Sequence, residues 1–430
     1  MRNGGRVQAA IEVLEDVLGR HRTAAQALND WGRAHRFAGA GDRAAIGNLV
    51  YDALRHKASI AAAMGADSPR ALGLYAAKAA LLLSAAEVAA LADGAEHAPP
   101  PVTAEEAAGL AREAAADAPA HVRGDYPEWL QPSLARVFGE RAAEEGAALA
   151  RRAPIDLRIN PLKTTREKTI NALARFRPEA TPLSPLGLRI AAPAGPAKSP
   201  HVEAEAAHGK GWFEVQDEGS QIAALLAGAG PRKQVADICA GAGGKTLALA
   251  GLMQNTGQIY AYDSDRLRLR PIFERIKRAG VRNVQILEGG EDAALVALGP
   301  RFDVVMVDSP CTGTGTWRRR PESKWRLKAD SIAVRVAEQN AVLAAGAGLV
   351  KPGGRLVYVT CSVLAEENSD QVARFLVAHS DFSAVPYAAA WQVAIGGSAP
   401  ESADGRTDSL LLTPARHGTD GFFIAILQKA

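Results

Sequence analysis

Apolar positions in the first hundred residues recur at helical spacing. Ile11, Leu14 and Leu18 fall on one face of a predicted helix, and residues 46–54 repeat the pattern. Residues 71–83 are apolar nearly all round, so we expect this helix to lie at the centre of a bundle. The pattern predicts an all-α domain at the start of the chain.

A break in this pattern separates two groups of helices. Residues 93–102 contain three consecutive prolines, which cannot continue a helix, and therefore predict a loop. Thr103 and Glu106 then form a capping-box signature, which predicts that the next helix begins there. We assign residues 1–125 to the helical domain.

The character of the chain changes after residue 154. Residues 157–159 and 188–190 predict short strands, with proline-rich connections between them. We interpret residues 126–214 as a small α+β region that links two larger domains.

From Gln234 onward, predicted strands alternate with amphipathic helices, the longest of which cover residues 266–279 and 331–349. The strand candidates are residues 235–238, 258–262, 284–287, 303–307 and 356–360. This alternation predicts a Rossmann-like, doubly wound α/β domain with a mostly parallel sheet, which we place over residues 215–430. Residues 410–412 and 422–427 predict an antiparallel pair that closes the sheet.

Composition and charge narrow the class of protein. The chain has 430 residues, which exceeds one hydrophobic core, and its 47% hydrophobic and 23% charged residues are ordinary for a globular protein. Its net charge of +3 does not by itself indicate a polyanion partner. Glu12, Glu15 and Asp16 interrupt the first apolar stretch, which argues against a signal peptide, and we expect no membrane span. Three cysteines indicate a reducing compartment, so we expect a cytoplasmic protein.

A glycine-rich loop follows the first strand of the predicted sheet. A Walker loop would need glycine where Cys239 stands, and a dinucleotide fingerprint would need glycine in place of Thr246. Asp263 ends the next strand, about 20 residues on, at the spacing of a carboxylate that holds ribose hydroxyls. This combination favours an adenosyl ligand without phosphates over a tight turn with a solvated aspartate. The expected cofactor-binding residues are Cys239, Ala240, Gly241, Ala242, Gly243, Gly244, Lys245, Asp263 and Asp308.

The cysteines all fall at the carboxyl ends of predicted parallel strands. Cys239 follows the first strand, Cys311 the fourth and Cys361 the fifth, with Asp308 at the mouth of the Cys311 turn. Structural cysteines are more often inside elements, so this placement favours chemistry. Two thiols on neighbouring strand ends are expected to face one substrate. A redox pair lacks the CxxC spacing, and no histidine pairs with a cysteine at metal-ligand spacing.

These motifs together resemble the Sun-type RNA 5-cytosine methyltransferase family. The resemblance covers nearly the whole chain and is most specific in the two thiol motifs, whereas the N-terminal helices resemble the family's NusB-like RNA-binding domain more loosely, through residues 49–55. The matching segments are residues 126–130, 155–160, 215–220, 237–246, 308–315, 360–362 and 420–423.

The resemblance implies S-adenosylmethionine as the cofactor and a covalent mechanism. Carbon 5 of cytosine is a poor nucleophile, and addition of a thiolate to carbon 6 makes it enamine-like. The family assigns this addition to Cys361 and the later release to Cys311. Asp308 would hold the polar edge of the base, and Lys245 would lower the pKa of the nucleophilic thiol by its charge, unless it is only a solvated lysine.

The chain departs from the family pattern at two places. Ala242 stands where the family's cofactor loop usually carries proline, so the turn is expected to be less rigid. The third strand usually ends in an aspartate that faces adenine, whereas this chain has residues 288–292, Glu-Gly-Gly-Glu-Asp, and none of these is assigned that role.

A basic stretch, residues 317–328, follows the Cys311 motif. Basic side chains for phosphates and aromatic rings for stacking suit single-stranded RNA, although such a run is more often a solvated face. Its place next to a catalytic motif favours RNA, and a paired target cytosine would have to be flipped out. The expected RNA-binding residues are Trp317, Arg318, Arg319, Arg320 and Lys324.

We therefore expect an RNA cytosine-C5 methyltransferase involved in rRNA processing. The family resemblance points to small-subunit ribosomal RNA as the partner, and we expect a monomer that binds neither metal nor membrane. Two alternatives stay open: a P-loop-like nucleotide hydrolase with Lys245 on phosphate and Asp308 on magnesium, and a catalytically degenerate RNA-binding assembly factor. Retention of both thiol motifs argues against degeneracy.

Overall fold

The computed structural model describes residues 1–20, 22–113, 115–287 and 292–430. The chain divides into two compact units. The helical unit comprises residues 1–153, 192–199 and 316–327, and the sheet unit comprises residues 154–191, 200–315 and 328–430. This division differs from the three predicted domains, because residues 126–153 form helices that group with the N-terminal ones, while most of the predicted linking region groups with the sheet.

The helices before residue 154 are α1 (Asn3–Gly19), α2 (Ala24–Ala34), α3 (Ala40–Arg55), α4 (Lys57–Met64), α5 (Pro69–Leu81), α6 (Ala85–Leu91), α7 (Ala104–Ala111), α8 (Ala120–Arg123), α9 (Gln131–Phe138) and α10 (Ala142–Ala150). Those after it are α11 (Arg166–Ala172), α12 (Ala206–Gly209), α13 (Glu218–Leu226), α14 (Gly244–Leu252), α15 (Arg266–Leu269), α16 (Ile272–Ala279), α17 (Asp292–Val296), α18 (Pro321–Arg326), α19 (Ala329–Leu349), α20 (Ser369–Ala378), α21 (Tyr387–Ala394) and α22 (Pro414–His417).

The strands are β1 (Ile155–Ile159), β2 (Glu179–Ala180), β3 (Gly187–Ile190), β4 (Phe213–Val215), β5 (Gln234–Asp237), β6 (Gln258–Ala261), β7 (Val284–Ile286), β8 (Phe302–Asp308), β9 (Val350–Thr360), β10 (Phe382–Val385), β11 (Ser409–Leu412) and β12 (Phe422–Lys429).

Helices α1, α3 and α5 pack together at the core of the helical unit. The predicted apolar positions of α1 and α3 are buried there, except Leu18, which is partly buried and packs against this core. α5 is the central, nearly all-apolar helix that the sequence predicts. α5 ends two residues earlier than expected, because Leu82 adopts a left-handed conformation with φ 58°. The Thr103–Glu106 capping box is present at the start of α7. The all-α character is confirmed, and the likeness to a NusB-like domain stays a prediction.

Residues 316–327, which include α18, belong to the helical unit. The Lys324 side chain is 1% exposed, and its Nζ donates hydrogen bonds to the backbone carbonyls of Arg55, at 2.7 Å, and of Asp125, at 2.6 Å. The indole Nε1 of Trp325 donates to the carbonyl of Leu54 at 2.6 Å. The Leu54 and Arg55 carbonyls lie at the C-terminal end of α3, where a helix has no backbone donors of its own, and the Asp125 carbonyl lies after α8.

The sheet unit contains a small antiparallel sheet with strand order β2-β3-β1-β4. β1 and β3 lie where the sequence predicts strands. β2 and β4 were not predicted, because two- and three-residue strands carry too little periodicity.

The large sheet confirms the Rossmann-like prediction. Its strand order is β10-β12-β9-β8-β5-β6-β7, with β11 paired to β12, and the pairs from β9 to β7 are parallel. The predicted closing pair is β11 and β12, which is antiparallel, and the strand β10 is an addition to the prediction. The predicted helix over residues 266–279 is two helices, α15 and α16, because Pro271 lacks the backbone donor that would continue the first.

Within the part of the chain that the structure describes, no helix combines the length and the apolar character that crossing a bilayer requires.

The buried amine of Lys324 predicts a pH-dependent stability. Burial lowers the pKa of Lys324 to about 7, far below the value of about 10.4 in an unfolded chain. Between these values the unfolded state binds a proton that the folded state does not, so stability rises with pH. We expect the free energy of unfolding of the wild type to rise relative to Lys324→Met by up to about 1.4 kcal/mol per pH unit above pH 7.

Denaturant unfolding followed by tryptophan fluorescence at several pH values measures this difference. Lys328→Met, at an exposed lysine nearby, is the control and should show no such trend. A Lys324→Met difference that stays constant from pH 7 to pH 9.5 would contradict the prediction.

Candidate functional site

The order of the parallel strands changes direction between β5 and β8. From β5 the chain builds β6 and β7 on one side, and then β8 and β9 on the other. Ligands of open α/β sheets bind in the crevice at the carboxyl ends of the strands at such a point. The glycine-rich loop after β5 and the Cys311 turn after β8 lie at this edge of the sheet.

The glycine-rich loop turns tightly from β5 into α14. Gly241 and Gly243 have φ values of +50° and +84°, and Gly243 caps the start of α14. A Cβ on Gly243 would lie 2.4 Å from Cγ1 of Ile272, so only glycine fits there. The turn closes without the family's proline, because Gly243 N donates to the Ala240 carbonyl at 2.8 Å and Arg275 holds the Ala242 carbonyl at 2.8 Å.

Asp263 is buried beside this loop. Its Oδ2 accepts a hydrogen bond from Gly241 N at 2.8 Å, and its Oδ1 accepts one from Asp265 N at 2.9 Å. The carboxylate is thereby fixed at the end of β6, and each oxygen retains a lone pair for a ligand. A fixed acceptor next to a glycine-rich turn fits a ribose diol, so the residues present suit an adenosyl cofactor.

Lys245 and Asp308 form an ion pair across this edge. Lys245 Nζ lies 2.8 Å from Asp308 Oδ2 and 5.2 Å from the centre of the Phe422 ring. The Lys245 side chain is buried, so it is not the solvated lysine that the sequence left open, and the partner it has in the structure is Asp308 rather than Cys361. Asp308 keeps about a third of its side chain exposed and remains accessible to a ligand. An effect of Lys245 on the pKa of the Cys361 thiol stays a prediction.

Asp237 is a buried acid beneath the loop that the sequence did not single out. Thr246 Oγ1 donates to its Oδ2 at 2.7 Å, while its Oδ1 has no hydrogen-bond partner among the described residues. Burial raises the pKa of Asp237 to about 7, and the charge of Asp308 adds to this effect. The only signal in the sequence was its position at the end of a strand.

Cys311 and Cys361 meet at the ends of β8 and β9. Their sulfur atoms are 3.4 Å apart, within hydrogen-bonding distance for sulfur. Both cysteine residues are half-buried. The structure therefore brings together the two thiols that the sequence expected to face one substrate. Cys239 lies in the glycine-rich loop, where burial raises the pKa of its thiol well above the ordinary value.

The two thiol-bearing turns are joined by hydrogen bonds. Gly315 N donates to the Cys361 carbonyl at 2.9 Å, and the hydroxyls of Thr314 and Ser362 are 3.0 Å apart. Gly421 N donates to the Gly315 carbonyl at 2.8 Å, and a Cβ on Gly315 would lie 2.3 Å from the Gly421 oxygen. The backbones approach so closely that glycine is required at this contact.

Two consecutive residues that sequence reasoning missed, Glu367 and Asn368, also contact these turns. Both are buried and follow the Cys361 motif by a few positions. The sequence signal for them was an acid and an amide shortly after a cysteine at the end of a strand. Their hydrogen-bond partners could not be predicted, because some of these partners are distant in the sequence.

Arg158 connects the small sheet to the glycine-rich loop. From β1 its Nη1 donates to the carbonyl of Gly244 at 2.7 Å and also contacts Gln216. Burial lowers the pKa of Arg158 to about 10. Arg158 thus holds the first residue of α14, a role that the sequence did not indicate.

The predicted RNA-binding residues divide into two groups. Trp317, Arg318 and Lys324 are buried in the helical unit, so the structure does not present them for stacking or for phosphate contacts. Arg319 and Arg320 are exposed, and their role in RNA binding stays a prediction. The sequence did not indicate this burial, because a run of basic residues is typical of a solvent-exposed face.

Two further points of the sequence analysis concern the end of the third strand and metal binding. Residues 288–291 stand where the family usually has an adenine-facing aspartate, and they lie outside the described residues. In the described ranges, no group of three or more His, Cys, Asp or Glu side chains has an arrangement that could hold a metal ion.

Two family models match the chain. The model described as 16S rRNA methyltransferase RsmB/F matches residues 224–428, and the RsmF/B-like ferredoxin-like domain matches residues 126–195. Among curated proteins, the probable ribosomal RNA small subunit methyltransferase B of Synechocystis sp. is 36% identical over 313 residues. That alignment covers 71% of this chain and 67% of the relative, about two thirds of its length.

Solved structures also resemble the chain. The crystal structure of PH0851 covers 100% of this chain and 99% of its own, with a TM-score of 0.75 and 26% sequence identity. A methyltransferase homologue from Pyrococcus horikoshii covers 72% of this chain and 98% of its own, with a TM-score of 0.60 and 28% identity.

Proposed function

Because the chain belongs to the 16S rRNA methyltransferase RsmB/F family of S-adenosylmethionine-dependent enzymes, we propose that it methylates carbon 5 of a cytosine in small-subunit ribosomal RNA. The observation that carries the proposal is the pair of sulfur atoms 3.4 Å apart at the carboxyl ends of two adjacent parallel strands. The same edge of the sheet carries the glycine-rich loop and the fixed Asp263 carboxylate.

The loop and Asp263 are the residues that would hold S-adenosylmethionine. When bound, this cofactor supplies an electrophilic methyl group on a sulfonium. Because Gly241 has no side chain, it would let the loop backbone approach the cofactor closely, and Asp263 would accept hydrogen bonds from its ribose hydroxyls. A Walker loop is disfavoured, because Lys245 is engaged by Asp308 and a cysteine stands at the first glycine position.

Cys361 is proposed as the nucleophile. Its thiolate adds to carbon 6 of cytosine, forming a carbon–sulfur bond and giving carbon 5 the electron density it needs to accept a methyl group. Asp308, held by Lys245, would hydrogen-bond the polar edge of the base and stabilise the ring during addition. Cys311 is proposed to take the proton from carbon 5, after which the carbon–sulfur bond breaks and the Cys361 thiolate leaves.

We expect loss of the Asp263 carboxylate to weaken S-adenosylmethionine binding by roughly 1.5–3 kcal/mol, as for a hydrogen bond to a charged group. Titration calorimetry of Asp263→Ala measures this change. Asp265→Ala is the matched control, because Asp265 is exposed and its side chain caps α15 instead. Equal weakening in both variants, or tight magnesium–ATP binding by the wild type, would contradict the assignment.

Replacement of either cysteine by alanine is expected to have a different effect on the reaction, because the two thiols act at different steps. Cys361→Ala should lose methylation and form no covalent complex with RNA. Cys311→Ala should still add to the base and transfer the methyl group, but stall before elimination, so a protein–RNA adduct should accumulate. Denaturing electrophoresis detects this adduct, because detergent does not break a carbon–sulfur bond.

The opposite outcome, an adduct trapped only in Cys361→Ala, would show that the two roles are exchanged. If both variants are merely less stable and neither forms an adduct, the cysteines only pack the strand ends.

The exposed pair Arg319 and Arg320 is expected to bind RNA phosphates. Reversing both to Glu should raise the dissociation constant for RNA and lower the salt dependence of binding by about one unit per lost phosphate contact. Filter binding at several salt concentrations measures both quantities. Reversal of Arg33 and Arg36, exposed arginines of the same unit, is the control. If the two double variants behave alike while cofactor affinity is intact, residues 319 and 320 are only part of a solvated face.

A further inference from the structure

Glu367 is a buried carboxylate that contacts the turn carrying Cys311. Its Oε1 accepts a hydrogen bond from Thr312 N at 2.8 Å, and its Oε2 accepts one from the Thr312 hydroxyl at 2.5 Å. Gln339 Nε2 donates to the same carboxylate at 3.2 Å and to the Pro310 carbonyl at 3.0 Å. The residues on both sides of Cys311 are therefore held by one carboxylate and the amide beside it.

The next residue, Asn368, holds the other thiol-bearing turn. Its Oδ1 accepts a hydrogen bond from the Thr360 hydroxyl at 2.5 Å, and its Nδ2 donates to the Ser362 carbonyl at 2.9 Å. These two positions flank Cys361. Two consecutive side chains thus fix the two cysteine turns separately, and together they set the position of each sulfur atom.

The surroundings of Cys311 favour its protonated form. The hydrogen bond to the Cys361 sulfur and burial raise the pKa of Cys311 well above the ordinary thiol value, and the charge of Glu367 raises it further. Burial also raises the pKa of the Tyr358 hydroxyl, which donates to the Glu367 backbone carbonyl at 2.5 Å. The Glu367 carboxylate has its own pKa raised by burial, opposed by the hydrogen bonds that it accepts.

We propose that Glu367 is a positioning residue that fixes the Cys311 turn and makes Cys311 the proton-holding member of the thiol pair, which leaves Cys361 as the nucleophile. The Cys311 thiol then donates its hydrogen bond to the Cys361 sulfur across 3.4 Å. The catalytic role of this thiol order rests on the function proposed above, but the order itself is a property of the free protein.

This arrangement also explains how one residue can act late in the reaction. When the Cys361 thiolate forms its bond to carbon 6, its sulfur loses its negative charge and no longer accepts a strong hydrogen bond from Cys311. Cys311 can then release its proton to solvent and, as a thiolate, take the proton from carbon 5 while the electrons of that bond re-form the ring double bond and Cys361 leaves. Glu367 keeps Cys311 from ionising too early.

Thiol alkylation by iodoacetamide tests the proposal without RNA or cofactor. The protein is treated at pH 6 to 9, and alkylation of each cysteine is quantified by mass spectrometry of its peptides. In the wild type, Cys361 should be alkylated faster than Cys311 at every pH. Glu367→Gln removes the charge and places an amide N–H against the groups that donate to Glu367. The alkylation rate of Cys311 relative to that of Cys361 should therefore rise, by roughly tenfold for each unit by which the pKa of Cys311 falls.

Two control variants distinguish the effect of the Glu367 charge on the thiols from a general loss of structure. Glu366→Gln, at the adjacent acid, should leave the order unchanged, and Glu367→Asp, which keeps the charge, should restore most of the preference for Cys361. Thermal unfolding of each variant is recorded in parallel. If Glu367→Gln lowers stability while Cys311 and Cys361 keep their wild-type order, Glu367 is only structural and the proposal fails.

The wild type alone can also overturn the proposal, even if Glu367→Gln does not fold. Faster alkylation of Cys311 than of Cys361 would overturn the proposal. The outcome is distinct from failure of the proposed function: a chain that orders its thiols in this way but methylates no cytosine would refute only the reaction, and a cytosine methyltransferase with an inverted thiol order would refute only the role of Glu367.

Discussion

The parallel pairing of β8 with β9 is the constraint on which the rest of the site depends. Asp308, the last residue of β8, lies opposite Val359, so the turns that follow the two strands leave the sheet side by side. Cys311 and Cys361 are 50 residues apart in sequence, and this register brings their sulfur atoms to 3.4 Å. A one-residue slip in the pairing would turn the strand-end side chains to the opposite face of the sheet and separate the thiols.

The same edge collects groups of opposite character. The buried acids Asp237 and Asp263 lie under and beside the glycine-rich loop, and Lys245 neutralises Asp308 between the loop and the thiol turns. A buried negative charge is costly in such a place, and burial therefore raises the pKa of Asp237 to about 7. In the proposed function, these groups serve as a fixed acceptor for a ribose, a partly exposed acid for a base and a thiol pair for covalent chemistry.

Much of this arrangement could be predicted from the sequence, because parallel strands carry their carboxyl ends to one edge. That rule predicts that Cys311, Cys361 and Asp263 lie at one edge, and the family resemblance implies the roles proposed for the two thiols. Long-range partners could not be predicted. Local sequence does not tell that Lys245 meets Asp308, that Glu367 accepts from Thr312, or that Lys324, in a basic run, is buried against carbonyl groups of α3.

The central claim is that this chain adds a methyl group to carbon 5 of cytosine in RNA. The most direct measurement is to incubate the purified protein with S-adenosylmethionine labelled in its methyl group and with small-subunit ribosomal RNA, digest the RNA and separate the nucleosides. The account predicts that the label elutes with 5-methylcytidine. Label in any other nucleoside, or no transfer by protein that binds the cofactor, to either naked RNA or the ribosomal particle, would contradict it.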